Sequence, residues 1–211
     1  MKERLLEIYR RLFDFFGPLN WWPANDELEI AVGAILTQNT NWRNAEKAIR
    51  NLKQKGLLSV NALSKIKEED LSYEIRSCGY YRIKAKRIKN FINHVVERFD
   101  SDLKRFLSLD TESLRNELLS IKGIGPETAD CILLYAAKRP VFVVDEYTFR
   151  ILRRHNLIWD QISYEDLQKI FMENLPADVE MFSQFHALIV ETGKRFCKKK
   201  PICKSCPLEG I

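Results

Sequence analysis

The run Ile121-Lys122-Gly123-Ile124-Gly125-Pro126-Glu127-Thr128 holds two glycines one residue apart, just ahead of an apolar helical stretch. Without a Cβ the backbone can turn tightly there and approach a ligand closely. Pro126 sits where a first helical turn tolerates it best. Such a hairpin aims backbone N–H groups outward at a helix start, which makes an anion site. A DNA phosphate is the anion it suits, held by Lys122, Gly123, Ile124, Gly125 and Thr128. A helix length further on, Val143-Val144-Asp145 places a carboxylate at the start of the helical stretch 146–155, where it can cap that helix. Trp21-Trp22-Pro23 presents large π faces, and neighbouring tryptophans point in different directions, so both are rarely core. They suit stacking on a base, above all a cationic alkylated purine. Cys197, Cys203 and Cys206 crowd one terminal loop. Clustered thiols of that kind read as metal or iron–sulfur ligands rather than as a disulfide framework, which would spread along the chain.

The order of hairpin, helix and Val-Val-Asp resembles the helix–hairpin–helix DNA glycosylase superfamily, to which endonuclease III belongs. The match takes in Leu36-Thr37-Gln38-Asn39-Thr40 and the terminal cysteines, and runs in the right order over nearly the whole chain. Trp21-Trp22-Pro23, with Trp42 as the aromatic after the Gln-Asn-Thr motif, is similar to the 3-methyladenine DNA glycosylase branch. The resemblance implies a base-excision-repair enzyme that flips a damaged base from duplex DNA and hydrolyses its N-glycosidic bond. Asp145 would then be catalytic, stabilising an oxocarbenium-like sugar and activating water. Gln38 would fill the hole left in the duplex, or else cap its own helix. Trp21, Trp22, Pro23, Trp42, Tyr147 and Glu127 would form the base pocket, or else one or two of the three tryptophans would plug the interface between the subdomains.

One departure matters. The bifunctional branch places a lysine where this chain has Glu127, and a carboxylate cannot form the imine on which strand cleavage depends. A monofunctional enzyme acting on alkylated purines such as 3-methyladenine is therefore expected. An endonuclease III-like lyase on damaged pyrimidines and a non-catalytic helix–hairpin–helix DNA-binding protein are the alternatives. The cysteines suit the family's [4Fe-4S] loop, with zinc as the other ion. The first cysteine gap is one residue short, and a fourth cysteine would fall just after Ile211. Either the sequence is clipped, or the fourth ligand is not cysteine, or the cluster has degenerated.

The elements that must carry these residues read as helical almost throughout. Leu5, Leu6, Tyr9, Leu12, Phe13 and Phe16 recur at three and four before Gly17-Pro18. A very apolar helix is expected over 26–36, one capped by Asn41 and ending at Gly56, and a long one after Gly79-Tyr80-Tyr81. Others follow at 112–120, 126–137, 146–155, 164–173 and 179–195. The β-like run 141–144 is too short and isolated to imply a sheet. The fold expected is all-α. By resemblance it has a central bundle, 22–135, containing the helix–hairpin–helix at 118–135. A second subdomain, 1–21 plus 136–211, would carry the cysteine loop at 197–211, with the DNA cleft between the two. The run Tyr80-Tyr81-Arg82-Ile83-Lys84-Ala85-Lys86-Arg87 is either a solvated helix face or a second phosphate-binding segment through Arg82, Lys84 and Lys86.

The chain's 211 residues, 45% of them hydrophobic, can bury a substantial core. A net charge of +5 permits nucleic-acid binding without demanding it. No segment approaches a membrane span, and the N-terminus opens into an amphipathic helix rather than a signal peptide. The expectation is a monomer in the cytoplasm, associated with the nucleoid, whose partner is double-stranded DNA carrying a damaged base. Cys78 and Cys131 read as core residues. His94, His155 and His186 show no ligand spacing.

Overall fold

The structure, a computed structural model, describes residues 1–211 apart from Asn20, Pro23 and Asn25. Among the described residues the α-helices run in the order α1 (Lys2–Phe16), α2 (Glu27–Leu36), α3 (Trp42–Gln54), α4 (Val60–Lys65), α5 (Glu68–Glu74), α6 (Tyr81–Phe99), α7 (Leu103–Leu107), α8 (Thr111–Ser120), α9 (Pro126–Cys131), α10 (Glu146–Arg154), α11 (Tyr164–Asn174) and α12 (Val179–Arg195). No strand forms among them, and no helix is long and apolar enough to cross a membrane. The fold is all-α, as expected. The chain divides into two compact units, Ala24–Lys138 and Met1–Pro23 with Arg139–Ile211.

In the unit Ala24–Lys138, α2 is buried along nearly its whole length and packs on α3, α6 and α9. Asp26 starts it by accepting from the Glu29 N–H at 2.8 Å, and Asn41 starts α3 in the same way through Asn44. The one carboxylate buried in α2, Glu29, meets the Lys53 ammonium at 2.6 Å. A bare buried charge would be costly, so the pair is what allows a polar side chain there. The helix–hairpin–helix itself is α8, the turn 121–125 and α9. The Arg115 guanidinium on α8 grips the fully buried Asp130 carboxylate on α9 at 2.8 and 3.2 Å, closing the motif behind the turn. The helix expected over 126–137 changes character part-way: Ile132–Ala136 is π-helical, with the Ala137 N–H reaching back to the Ile132 carbonyl. Three short helices, α4, α5 and α7, had no periodic signal long enough to announce them.

In the other unit, α1, α10, α11 and α12 surround an aromatic core in which Phe142 stacks on Phe171 at 3.8 Å and meets Phe182 and Phe185 edge-on. The run 141–144 is buried and extended without being a strand. Side chains of α11 take the place of a neighbouring strand. Gln168 donates to the Phe142 carbonyl at 2.7 Å, and the Val144 N–H donates to the Tyr164 hydroxyl at 3.4 Å.

Candidate active site

The segment 141–144 delivers Asp145 to the start of α10, and the local chemistry there is a capping box. Asp145 Oδ1 accepts from the Thr148 N–H at 2.8 Å and from its hydroxyl at 2.9 Å. The carboxylate is thereby fixed, with its side chain only 11% exposed. The second oxygen, Oδ2, lies 3.7 Å from His186 Nε2, an ion-pair distance rather than a hydrogen bond. Burial by itself would push this carboxyl up. The His186 imidazole and the Thr148 bonds outweigh burial and hold it below the usual carboxylate range.

Other side chains of the same unit collect around this carboxylate. The Trp21 ring stands edge-on to His186 at 6.2 Å, and the Lys194 ammonium lies 4.8 Å from the Trp21 ring. The Trp21 indole N–H is buried with no acceptor among the described residues. Trp22 follows with a positive φ of 61°, in the left-handed region. Tyr147 packs where Gly193 leaves no side chain, and the Arg150 guanidinium lies 4.8 Å over its ring. Burial, then the Asp145 charge, pushes the Tyr147 phenol up. Pro23, expected in the base pocket, lies outside the described residues.

In the unit Ala24–Lys138 the hairpin turns at Gly123, whose φ of 101° only glycine adopts readily. A Cβ there would also stand 3.0 Å from Arg87 Cδ and closer to Cγ. Gln38 lies folded on this turn, its amide donating to the Gly123 carbonyl at 3.2 Å and to Thr128 Oγ1 at 2.8 Å. Arg87 donates to the Gln38 amide oxygen. Asn90 holds the Lys122 carbonyl at 2.8 Å, while the Lys122 side chain, Gly125 and Glu127 are exposed. Trp42, half-buried, opens α3.

Three phosphate assignments need correction here. Lys84 is 1% exposed and donates to the Leu36 and Cys78 carbonyls at 2.9 and 2.8 Å, so it caps α2 from inside. It lies on the inward stripe of α6 with Ala85 and Ile88, and burial pushes its amine down. Thr128 is buried and its hydroxyl oxygen accepts from the Gln38 amide, and the Ile124 N–H closes the turn on the Ile121 carbonyl at 3.0 Å. Arg82 and Lys86 do reach solvent. Sequence reasoning passed over His186, Arg87, Lys194 and Gly193. The one available signal was His186 as the lone polar residue of Phe185-His186-Ala187-Leu188-Ile189-Val190.

At the C-terminal loop, Cys197, Cys203 and Cys206 share a cavity of about 150 Å³ with Arg154 and His155. Arg154 donates to Cys197 Sγ at 3.2 Å and to the Lys198 carbonyl at 2.6 Å, and Arg150 donates to the Cys197 carbonyl at 2.7 Å. Burial first, then neighbouring Cys197 and Cys203, pushes the Cys206 thiol up. Three thiols on one cavity have the donor chemistry of a cluster loop, although among the described residues no three donors converge into a metal-holding group.

Comparison with known proteins agrees with this fold and these motifs. The family model for "HhH-GPD superfamily base excision DNA repair protein" matches residues 32–177. A protein of Methanocaldococcus jannaschii whose name gives it a provisional DNA repair glycosylase assignment is 47% identical over 98% of this chain and 94% of its own. The crystal structure of Helicobacter pylori 3-methyladenine DNA glycosylase bound to 1,N6-ethenoadenine is 28% identical, with a TM-score of 0.78 over 92% of this chain and 97% of that one. A trapped endonuclease III–DNA covalent intermediate shares the fold, with a TM-score of 0.85 at 23% identity over 99% of this chain and 93% of that one. The chain belongs to the HhH-GPD superfamily of base excision DNA repair proteins and is a DNA glycosylase.

Proposed function

We propose that this glycosylase is monofunctional and releases alkylated purines such as 3-methyladenine, with Asp145 as the reacting carboxylate. The observation that carries the reading is the state of Asp145: anchored through Oδ1, largely shielded from solvent, and held below the usual carboxylate range. The Helicobacter relative, named a 3-methyladenine DNA glycosylase, supports the purine assignment.

Turning the damaged nucleotide out of the duplex costs a few kcal/mol, which stacking on aromatic rings offsets. Trp21, Trp22 and Tyr147 are assigned to that contact, and Trp42 and Glu127 retain the base-recognition role expected from the sequence. As the N-glycosidic bond breaks, its electron pair leaves with the base and positive charge develops on the sugar. A cationic alkylated purine departs as a neutral molecule and needs no acid to protonate it. The ionised carboxylate, poorly screened by water, stabilises the sugar cation. Water then adds to the sugar carbon and gives its proton to Asp145. Glu127, exposed in the first turn of α9, offers no amine for an imine.

Duplex DNA is held through Lys122, Gly123 and Gly125 of the hairpin, with Arg82 and Lys86 adding salt-sensitive affinity. Gln38 leaves the hairpin to occupy the vacated position in the duplex. Cys197, Cys203 and Cys206 would hold a structural [4Fe-4S] cluster, with zinc as the competing ion, and bound there it would brace the terminal loop. The enzyme works as a monomer in the cytoplasm, at the nucleoid. A panel of short duplexes, each with one lesion, tests the substrate. Release should be greatest for alkylated purines, and preference for oxidised pyrimidines would replace this reading with the endonuclease III-like one.

A further inference from the structure

We propose that His186 is a positioning residue for Asp145, holding Oδ2 through its imidazole while Thr148 holds Oδ1. The inference rests on Asp145 being the reacting carboxylate.

The two carboxylate oxygens have divided tasks. Oδ1 accepts both Thr148 bonds and belongs to the start of α10. Oδ2 is the oxygen left for water, and the group beside it is His186 Nε2 at 3.7 Å. This imidazole comes from a different helix, α12, packed on α10, so its approach is a tertiary feature and not part of the cap. It is 4% exposed, in a stretch of α12 otherwise made of buried apolar side chains, with Trp21 edge-on to its ring. A residue needed there only for volume would be Leu or Phe. An imidazole costs desolvation and is worthwhile only if it meets a polar partner. Asp145 is that partner, and the pairing opposes the effect of burial on the carboxylate.

Other ionisable groups around the pair are Tyr147 and Arg150 on α10, and Lys194 on α12 itself. From α1, Tyr9 packs on Phe185, next to His186. Among the described residues, His186 is the cationic-type side chain at ion-pair distance from Oδ2. Without the imidazole, only the Thr148 bonds oppose burial at Asp145, and the carboxyl protonates at higher pH. Base release should then fail on the acid side sooner than in the wild type.

The test measures single-turnover base release against pH for His186→Leu, His186→Gln and Asp145→Asn, on whichever lesion duplex the wild type processes. The expected result for His186→Leu is a fall of about 10²-fold near neutral pH, with lesion-duplex affinity within about threefold and an acid limb moved up by about one unit or more. His186→Gln, which keeps a polar N–H donor without the imidazole, should recover part of the rate. Should His186→Leu fail to fold, His186→Gln carries the test through the same acid limb. A wild-type rate and pH profile in the folded His186 variants, beside an inactive Asp145→Asn, would overturn this inference alone. Turnover in Asp145→Asn would overturn the assignment of Asp145 and this inference with it.

Discussion

Gly193→Ala adds one methyl group and should have an outsized effect. A Cβ at 193 would stand 2.7 Å from Cγ and 3.0 Å from Cβ of Tyr147, and closer still to Cδ1. The clash involves the root of the side chain, so rotating the ring cannot clear it, and α10 or α12 must give way. Overpacking of this kind costs about 1–3 kcal/mol. For a chain of this size each kcal/mol lowers Tm by about 2–4 °C, so the expected fall is about 2–12 °C. Thermal unfolding followed by circular dichroism measures it. The double variant Gly193→Ala/Tyr147→Ala separates clash from any other cause, because removing the ring removes the collision. It should be more stable than Tyr147→Ala plus Gly193→Ala predicts by simple addition. The movement should also disturb Asp145, two residues before Tyr147, and slow base release. Unchanged stability in Gly193→Ala, or strict additivity in the double variant, would refute the reasoning.

Arg115→Met should destabilise the enzyme by about 3–5 kcal/mol in chemical denaturation, because it strips the cation from the fully buried Asp130; a loss below about 1 kcal/mol would remove the closure of the hairpin from the account. Lys84→Met and Arg82→Ala should behave oppositely. Lys84→Met lowers Tm with little change in the salt slope of duplex binding, whereas Arg82→Ala flattens that slope and leaves Tm alone. Anaerobically purified protein should be brown, with iron and sulfide in near equal amounts; colourless protein carrying zinc would reassign the three thiols.

Much of this architecture is legible in the sequence wherever the signal is local. Asp26 and Asn41 announce helix starts because a short acceptor side chain at that position has one dominant use. The two hairpin glycines announce a turn, and Gly123 does adopt the conformation they suggested. What stayed hidden depends on contacts between distant segments. Lys84 reads as one of a row of cations, and only the packing of α6 turns it inward to the Leu36 carbonyl. Thr128 and Gln38, 90 residues apart, meet only in the folded unit. His186 looked like a histidine without ligand spacing because its partner, Asp145, lies on another helix. The extended run 141–144 has strand composition, and Gln168 and Tyr164 supply what a neighbouring strand would have.

The central claim is hydrolysis without a covalent protein–DNA intermediate, and one measurement addresses it directly. Wild-type enzyme is incubated with its preferred lesion duplex in the presence of borohydride, and the products are resolved with and without alkali. With Glu127 where an imine-forming lysine would stand, the strand should break only after alkali, with no protein cross-linked to DNA. An efficient borohydride-trapped complex formed by the wild type would contradict the account, and Lys122, exposed on the hairpin, would be the first candidate for the amine.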